Sequence, residues 1–194
     1  MLPTKIVLAS SSPYRRELLL RLGLPFIVNS PDIDESPLTN ELPKETSIRL
    51  SILKAKKAAE SYPDALIIGC DQVATMDGIH IGKPLTHENA VKQLQMIRGR
   101  KVIFYSAICL YNAYSKNLQK ECVPYSVYFR DLTDTQIQNY LTIEKPYNCA
   151  GSAKSEGLGI ALIDKMQGDD PNALIGLPLI SLISMLQKEG IQVI

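Results

Sequence analysis

The sequence predicts an α/β fold built on a mixed sheet, and three observations carry this. Short apolar runs of strand character alternate with amphipathic segments of helical period along the chain. Two long strand-like runs stand together in the middle, around a turn at Tyr114 to Gln119, and read as an antiparallel pair. No internal repeat, low-complexity tract or flexible linker interrupts the order, so the 194 residues are expected to form a single domain, 1–194. Alternating strands and helices favour parallel pairing, and the central pair adds antiparallel strands.

Lys5 to Ala9 is a short run of branched residues and reads as a buried strand. Ser12 suits a helix N-cap and Pro13 the first helical position, with Gly23 near the stop. Phe26 to Asn29 is a further short strand. Ser30 to Pro43 combines prolines with acids and reads as a surface loop. Glu45 to Tyr62 is helical, with Ile48, Ile52, Ala55 and Ala59 on its expected inner stripe. Ala65 to Thr75 is a strand whose apolar run is expected to end at Asp71 and Gln72. Asp77-Gly78 is a hairpin signal, and Ile79 to Ile81 is expected to pair back. Thr86 to Arg98 is a helix between a Thr86 cap and Gly99. Lys101 to Ala113 and Glu121 to Arg130 are the long strands, and Thr133 caps a helix to about Ile143. Lys154 to Gly159 is a glycine-punctuated loop, and Leu177 to Glu189 is the last helix.

Composition removes several classes of function. Lys and Arg total 21 against 20 for Asp and Glu, so a net charge of +1 excludes nucleic-acid binding by bulk charge. Hydrophobic residues at 45% exclude an acidic, solvating disordered chain. His80 and His87 are too few for a His-rich zinc site. The cysteines Cys70, Cys109, Cys122 and Cys149 form no C-x-x-C pair, so they read as reduced thiols of a cytosolic protein. The N-terminal apolar run is too short for a signal peptide or a membrane span, and Pro178 interrupts the most apolar stretch near the C-terminus.

The most informative segment is Ser10-Ser11-Ser12-Pro13-Tyr14-Arg15-Arg16. A strand feeding a serine loop and a helix start leaves backbone N–H groups free to bind an anion. Arg15 and Arg16 sharpen this, because cations in a first turn oppose the helix dipole at about 0.3–1 kcal/mol each. A bound phosphate reverses that sign; the plain alternative is a capped helix with solvated arginines. No Walker-type loop and no G-x-G-x-x-G motif is present. Asp71, at the end of a buried strand, suits a hard cation or a general base for water, or a structural role bonded to loop amides. Asp34 and Glu35 offer further carboxylates, and oxygen donors with so few histidines favour Mg²⁺ or Mn²⁺ over zinc. Lys83 is held between Gly82 and Pro84, Lys54 shares a basic helix face with Lys56 and Lys57, and Lys154 and Glu156 lie in the late loop.

Taken together, LASSSPYRRELL, DIDESP, RLSILKAKKA, IIGCDQV, IGKPLT, AGSAKSEGLGI and GLPLISLISML resemble the Maf family of nucleoside triphosphate pyrophosphatases over nearly the whole chain. Within the family the chain looks like the branch that hydrolyses 7-methyl-GTP. Tyr14, Gln72 and Glu156 stand where the pyrimidine-directed branch carries arginine, threonine and glutamine, and Tyr14 replaces a usual tryptophan. The resemblance implies an elongated mixed sheet with helices in two lobes around a cleft, similar to inosine triphosphate pyrophosphatases. It implies cleavage between the α- and β-phosphates, with a divalent metal, in a cytoplasmic enzyme; homodimers are common in the family. Ser10, Ser12, Tyr14, Arg15, Gln72 and Glu156 are then expected at the substrate. Lys54, Lys83 and Asp71 are expected in catalysis, with Glu35 and Asp71 as metal ligands. Whether Asp71 takes a proton or holds the metal stays open at this level. A non-catalytic nucleotide-binding module using the same cleft is the alternative, which needs no such full set of Asp71, Lys54, Lys83 and Glu35.

Overall fold

A computed structural model describes residues 5–194, so the opening of the N-terminal stretch read above, residues 1–4, lies outside the described residues. Seven strands form one sheet. They are β1 (Ile6–Ala9), β2 (Ile27–Asn29), β3 (Leu66–Met76), β4 (Ile79–Ile81), β5 (Lys101–Asn112), β6 (Leu118–Phe129) and β7 (Ile163–Gln167). The order is β2-β1-β3-β5-β6-β7, with β4 paired to β3 beyond the end of β1. Pairing of β1 with β2 and β3 is parallel, and the remaining pairs are antiparallel, which is the mixed sheet the sequence predicts.

The helices are α1 (Pro13–Leu20), α2 (Pro43–Ala59), α3 (His87–Ile97), α4 (Asp134–Glu144), α5 (Pro171–Ile175) and α6 (Leu179–Lys188). Local rules account for their starts. Ser12, Thr86 and Thr133 each accept a backbone N–H three residues on, and Pro13, Pro43 and Pro171 take the first position, where a missing N–H costs nothing. Among the described residues no helix is long and apolar enough to cross a membrane.

Three of the strands are long enough to serve two lobes. Around one end of them, α1 and α6 cover one face with Leu18, Leu19, Leu182 and Leu186, and α2 covers the other with Ala55 and Ala58. Around the other end, α3 and α4 close a second core on Phe104, Val127 and Phe129. A cleft of about 800 Å³ lies between, bordered by the β1–α1 loop, β3, the Gly82–Lys83 segment and the 148–156 loop.

Four points differ from the sequence reading, two of them expectations that change and two of them elements it did not assign. Asp71 is not at a strand end: β3 runs on through it to Met76, because β5 pairs with it continuously, Asp71 opposite Ala107. What stops there is the neighbour on the other side, since β1 pairs only up to Gly69 and β4 begins at Ala74. Asp71 and Gln72 therefore sit where one edge of β3 has no paired strand, leaving room for side chains and loops to meet them. Second, the inner stripe of α2 is rotated. Thr46, Ser47, Leu50, Ser51, Lys54, Ala55 and Ala58 are buried, while Ile48 and Ile52 are half-exposed. The reason is at Gly69, where an added Cβ would lie 2.0 Å from the Ser51 carbonyl oxygen and 2.9 Å from Ala55. Backbone passes so close to backbone that only small side chains fit the contact. Third, β7 was not visible in the sequence: four of its five residues are exposed, so it lacks alternation. Fourth, the five-residue α5 lies in a stretch to which the sequence assigns no element, although Asp170 before Pro171 is a cap signal.

Candidate active site

Lys54 is the centre of the cleft floor. Its ammonium lies 2.7 Å from Asp71 Oδ1 and 2.8 Å from Glu35 Oε1, so one cation bridges two carboxylates. Lys54 and Asp71 are 7% and 5% exposed, which makes this a buried ion pair and not a surface one. The neighbours Lys56 and Lys57 point to solvent. The basic helix face of Lys54, Lys56 and Lys57 is split by the rotated stripe, and Lys54, the one expected in catalysis, goes inside.

The two carboxylates are driven apart. Burial raises the Asp71 pKa against the opposing pull of Lys54 and Arg15. Glu35 also meets a burial cost, but the Lys54 hydrogen bond and charge, with Lys83 and Arg15 behind them, hold it below its ordinary value. Divergence of this kind between neighbouring carboxyls marks one as the group able to accept a proton and the other as a fixed anion.

The serine loop borders the floor on one side. Ser10 is buried, and its Oγ accepts from the Ser12 N–H at 3.2 Å and from Arg15 Nη1 at 3.3 Å. Arg15 reaches back across the site, donating from Nη1 to the Cys70 carbonyl at 3.1 Å and from Nε to the Gly176 carbonyl at 2.9 Å. It is a brace between β3 and the turn after α5, and its charge stays beside Asp71. Arg16 is exposed and off the cleft wall. Lys83 is exposed on the opposite rim, near enough to lower Glu35. Asp34 is also outside: its Oδ1 accepts the Ser36 N–H at 2.9 Å and shapes the acidic loop.

Gln72 borders the cleft, but its amide nitrogen is engaged by the scaffold. It donates towards Ser106 Oγ at 2.9 Å and the carbonyls of Ala173 and Leu174 at 3.0 and 2.9 Å, tying α5 to the sheet. Tyr14 and Glu156 border the far end of the cleft. Burial, followed by the neighbouring Cys149, raises the Tyr14 pKa, so the ring carries a neutral hydroxyl. Lys154 Nζ lies 5.7 Å from the Tyr14 ring centroid. Glu144, which the sequence did not single out, pairs with Lys154 at 3.2 Å.

The Maf-like protein family model matches residues 5–189. The chain belongs to the Maf family. A Maf relative from Methylobacillus flagellatus, named 7-methyl-GTP pyrophosphatase, is 66% identical over 189 residues, covering 97% of this chain and 98% of its own. Proteins of the same name from Nitrosospira multiformis and Nitrosococcus oceani are 55% and 53% identical, covering 98% and 99% of this chain and 96% of each relative. Within this Maf fold, the residues expected from the sequence converge on one cleft: Ser10, Ser12, Tyr14, Arg15, Glu35, Lys54, Asp71, Gln72, Lys83 and Glu156 all border it.

Proposed function

We propose that this chain is a nucleoside triphosphate pyrophosphatase that hydrolyses 7-methyl-GTP to 7-methyl-GMP and pyrophosphate. The names of its relatives support the substrate. The observation that carries the chemistry is the Asp71–Lys54–Glu35 triad on the cleft floor, its Asp71–Lys54 pair buried and Glu35 reaching in from the exposed loop, with the serine loop and Arg15 beside it.

In this reading the phosphates lie along the serine loop, Arg15 and Lys83. Asp71 accepts a proton from a water whose oxygen attacks the α-phosphorus. The bond from that phosphorus to the bridging oxygen breaks, and pyrophosphate leaves. Lys54 keeps Asp71 oriented and offsets charge that builds on the phosphate oxygens in the transition state. In the alternative role for Asp71, holding a divalent cation instead of taking the proton, Glu35 and Asp71 are the two oxygen donors that fit it. Among the described residues no cluster of three or more His, Cys, Asp and Glu side chains could hold a metal, and Mg²⁺ commonly takes only one or two carboxylates beside substrate phosphates. When bound there, Mg²⁺ or Mn²⁺ would neutralise phosphate charge and lower the pKa of coordinated water.

Tyr14 and Glu156 suit the base. A 7-methylated guanine carries a delocalised positive charge, which an aromatic face attracts by about 0.5–2 kcal/mol. Glu156 can accept hydrogen bonds from the N–H edge while opposing the same charge. The reading includes a cytoplasmic location, supported by four free cysteine thiols, and a homodimer, supported by the family resemblance.

The test is pyrophosphate release across 7-methyl-GTP, GTP, dTTP and UTP with Mg²⁺ and with Mn²⁺. The highest kcat/KM is expected on 7-methyl-GTP, and Asp71→Asn should lose at least about 100-fold, the usual weight of a positioned base. A folded Asp71→Asn protein with wild-type turnover removes Asp71 from the mechanism; nucleotide binding without turnover under either metal removes the enzyme.

A further inference from the structure

Glu144 is the last residue of α4, where the helix dipole disfavours an anion. Its carboxylate is nevertheless only 13% exposed and fully employed. Oε2 accepts the Leu158 backbone N–H at 2.7 Å, and Oε1 faces the Lys154 ammonium at 3.2 Å. One carboxylate thus grips both ends of the segment 154–158, and Glu156 is its middle residue. The Leu158 N–H, followed by the Lys154 contact, holds the Glu144 pKa below its ordinary value, so the grip is anionic at neutral pH.

The loop is built for this approach. An added Cβ on Gly157 would lie 2.7 Å from Glu144 Oε2. Gly157 has φ −121°, so no left-handed backbone calls for glycine there; what its missing Cβ does is leave room for the Glu144 carboxylate to close on the loop. The Lys154 N–H donates to Tyr140 Oη at 3.1 Å, which fixes the same end of the loop to α4 a second time. Lys154 then links the grip to the base end of the cleft, because its ammonium stands over the Tyr14 ring.

We infer that Glu144 is a positioning residue for base selection: it tethers the 154–158 segment so that Glu156 is held at the base end of the cleft, and its carboxylate offsets the Lys154 charge that would otherwise oppose a cationic base at Tyr14. The inference rests on the proposed role of Tyr14 and Glu156 at the base. Glu144 itself borders no part of the cleft, so its effect passes through the loop.

The experiment compares kcat and KM for 7-methyl-GTP and for GTP in the full-length protein and four variants, Glu144→Ala, Glu144→Gln, Gly157→Ala and Glu156→Gln. Glu144→Ala is expected to lower the ratio of kcat/KM for 7-methyl-GTP over GTP by about tenfold, the lower end of what loss of an orienting partner costs, with the loss appearing in KM. Glu144→Gln keeps an oxygen for the Leu158 N–H and should recover part of the ratio. Gly157→Ala leaves Glu144 in the sequence but displaces its carboxylate, and should reproduce the loss. Glu144→Gln and Gly157→Ala carry the test if Glu144→Ala does not fold. A ratio unchanged within twofold in the folded Glu144 and Gly157 variants overturns the inference, as does an equal fall in kcat on both nucleotides, which is a general structural effect. If Glu156→Gln lowers the ratio and the Glu144 variants do not, the positioning role alone fails. If Glu156→Gln leaves the ratio unchanged, the base reading fails and the positioning role falls with it.

Discussion

Gly69→Ala tests how the site is assembled without touching a charged group. The new methyl would stand 2.0 Å from the Ser51 carbonyl oxygen and 2.9 Å from the backbone nitrogen and Cβ of Ala55. Both partners belong to the α2 backbone or its shortest side chain, so no flexible tip can swing aside. Bringing the methyl to about 3.3 Å from that oxygen requires α2 to move outward by about 1.3 Å. Lys54 is one turn further along the same helix. If it follows the backbone, its 2.7 Å contact to Asp71 opens to about 4 Å, beyond hydrogen-bond reach. Overpacking of this kind costs about 1–3 kcal/mol, which for a domain of this length lowers Tm by roughly 2–12 °C. A displacement of about 1 Å at catalytic groups costs about 100-fold in rate. The assay is pyrophosphate release under saturating and limiting 7-methyl-GTP, beside a thermal melt at neutral pH. A Gly69→Ala protein with wild-type kcat/KM and unchanged Tm would refute the claim that this backbone contact sets the Lys54–Asp71 geometry.

Two further expectations concern pH. Burial raises the Asp71 pKa, and a base must be ionised to act, so the acid limb of kcat/KM should lie above the ordinary aspartate value of about 3.9. Lys54→Met removes a lowering influence and should move that limb to higher pH in whatever activity remains; a limb near 4 in both proteins would remove Asp71 as the group observed. The Glu41–Arg49 fork concerns stability: Arg49 Nε and Nη2 donate to Glu41 Oε1 and Oε2 at 2.6 and 2.8 Å, and hold its pKa down from 4.5 to about 2. A depressed carboxyl stabilises the fold above its unfolded pKa and ceases to do so as pH falls through its folded one. The Tm advantage of wild type over Glu41→Gln, worth about 1 kcal/mol, should therefore be complete above about pH 5 and vanish near pH 2. Thermal melts from pH 1.5 to 7 check this, and an advantage independent of pH would contradict the ion pair as its source.

Much of the site was legible because its residues occur in compact motifs. Ser10, Ser12, Tyr14 and Arg15 sit within one strand–loop–helix unit, and capping rules acting over three residues place them correctly. Gln72 was legible as a cleft residue, but its three scaffold partners come from Ser106 and α5, over thirty and a hundred residues away in sequence. Glu144 gave no local signal beyond an acid in the wrong place on a helix. Its partners Lys154 and Leu158 approach only when the late loop folds back on α4.

By itself the sequence determined the order of the elements other than β7 and α5, the caps at Ser12, Thr86 and Thr133, the Asp77-Gly78 hairpin and the set of charged groups available to the cleft. These depend on neighbours within about four residues, whose geometry the backbone dictates locally. Only the tertiary structure decided which lysine turns inward, that Asp71 lies along a strand edge with no neighbour, and that Glu144 holds the late loop. Each depends on how closely distant segments approach, above all where α2 rests on Gly69. A contact between backbones leaves no periodic trace in the side chains that would reveal it beforehand.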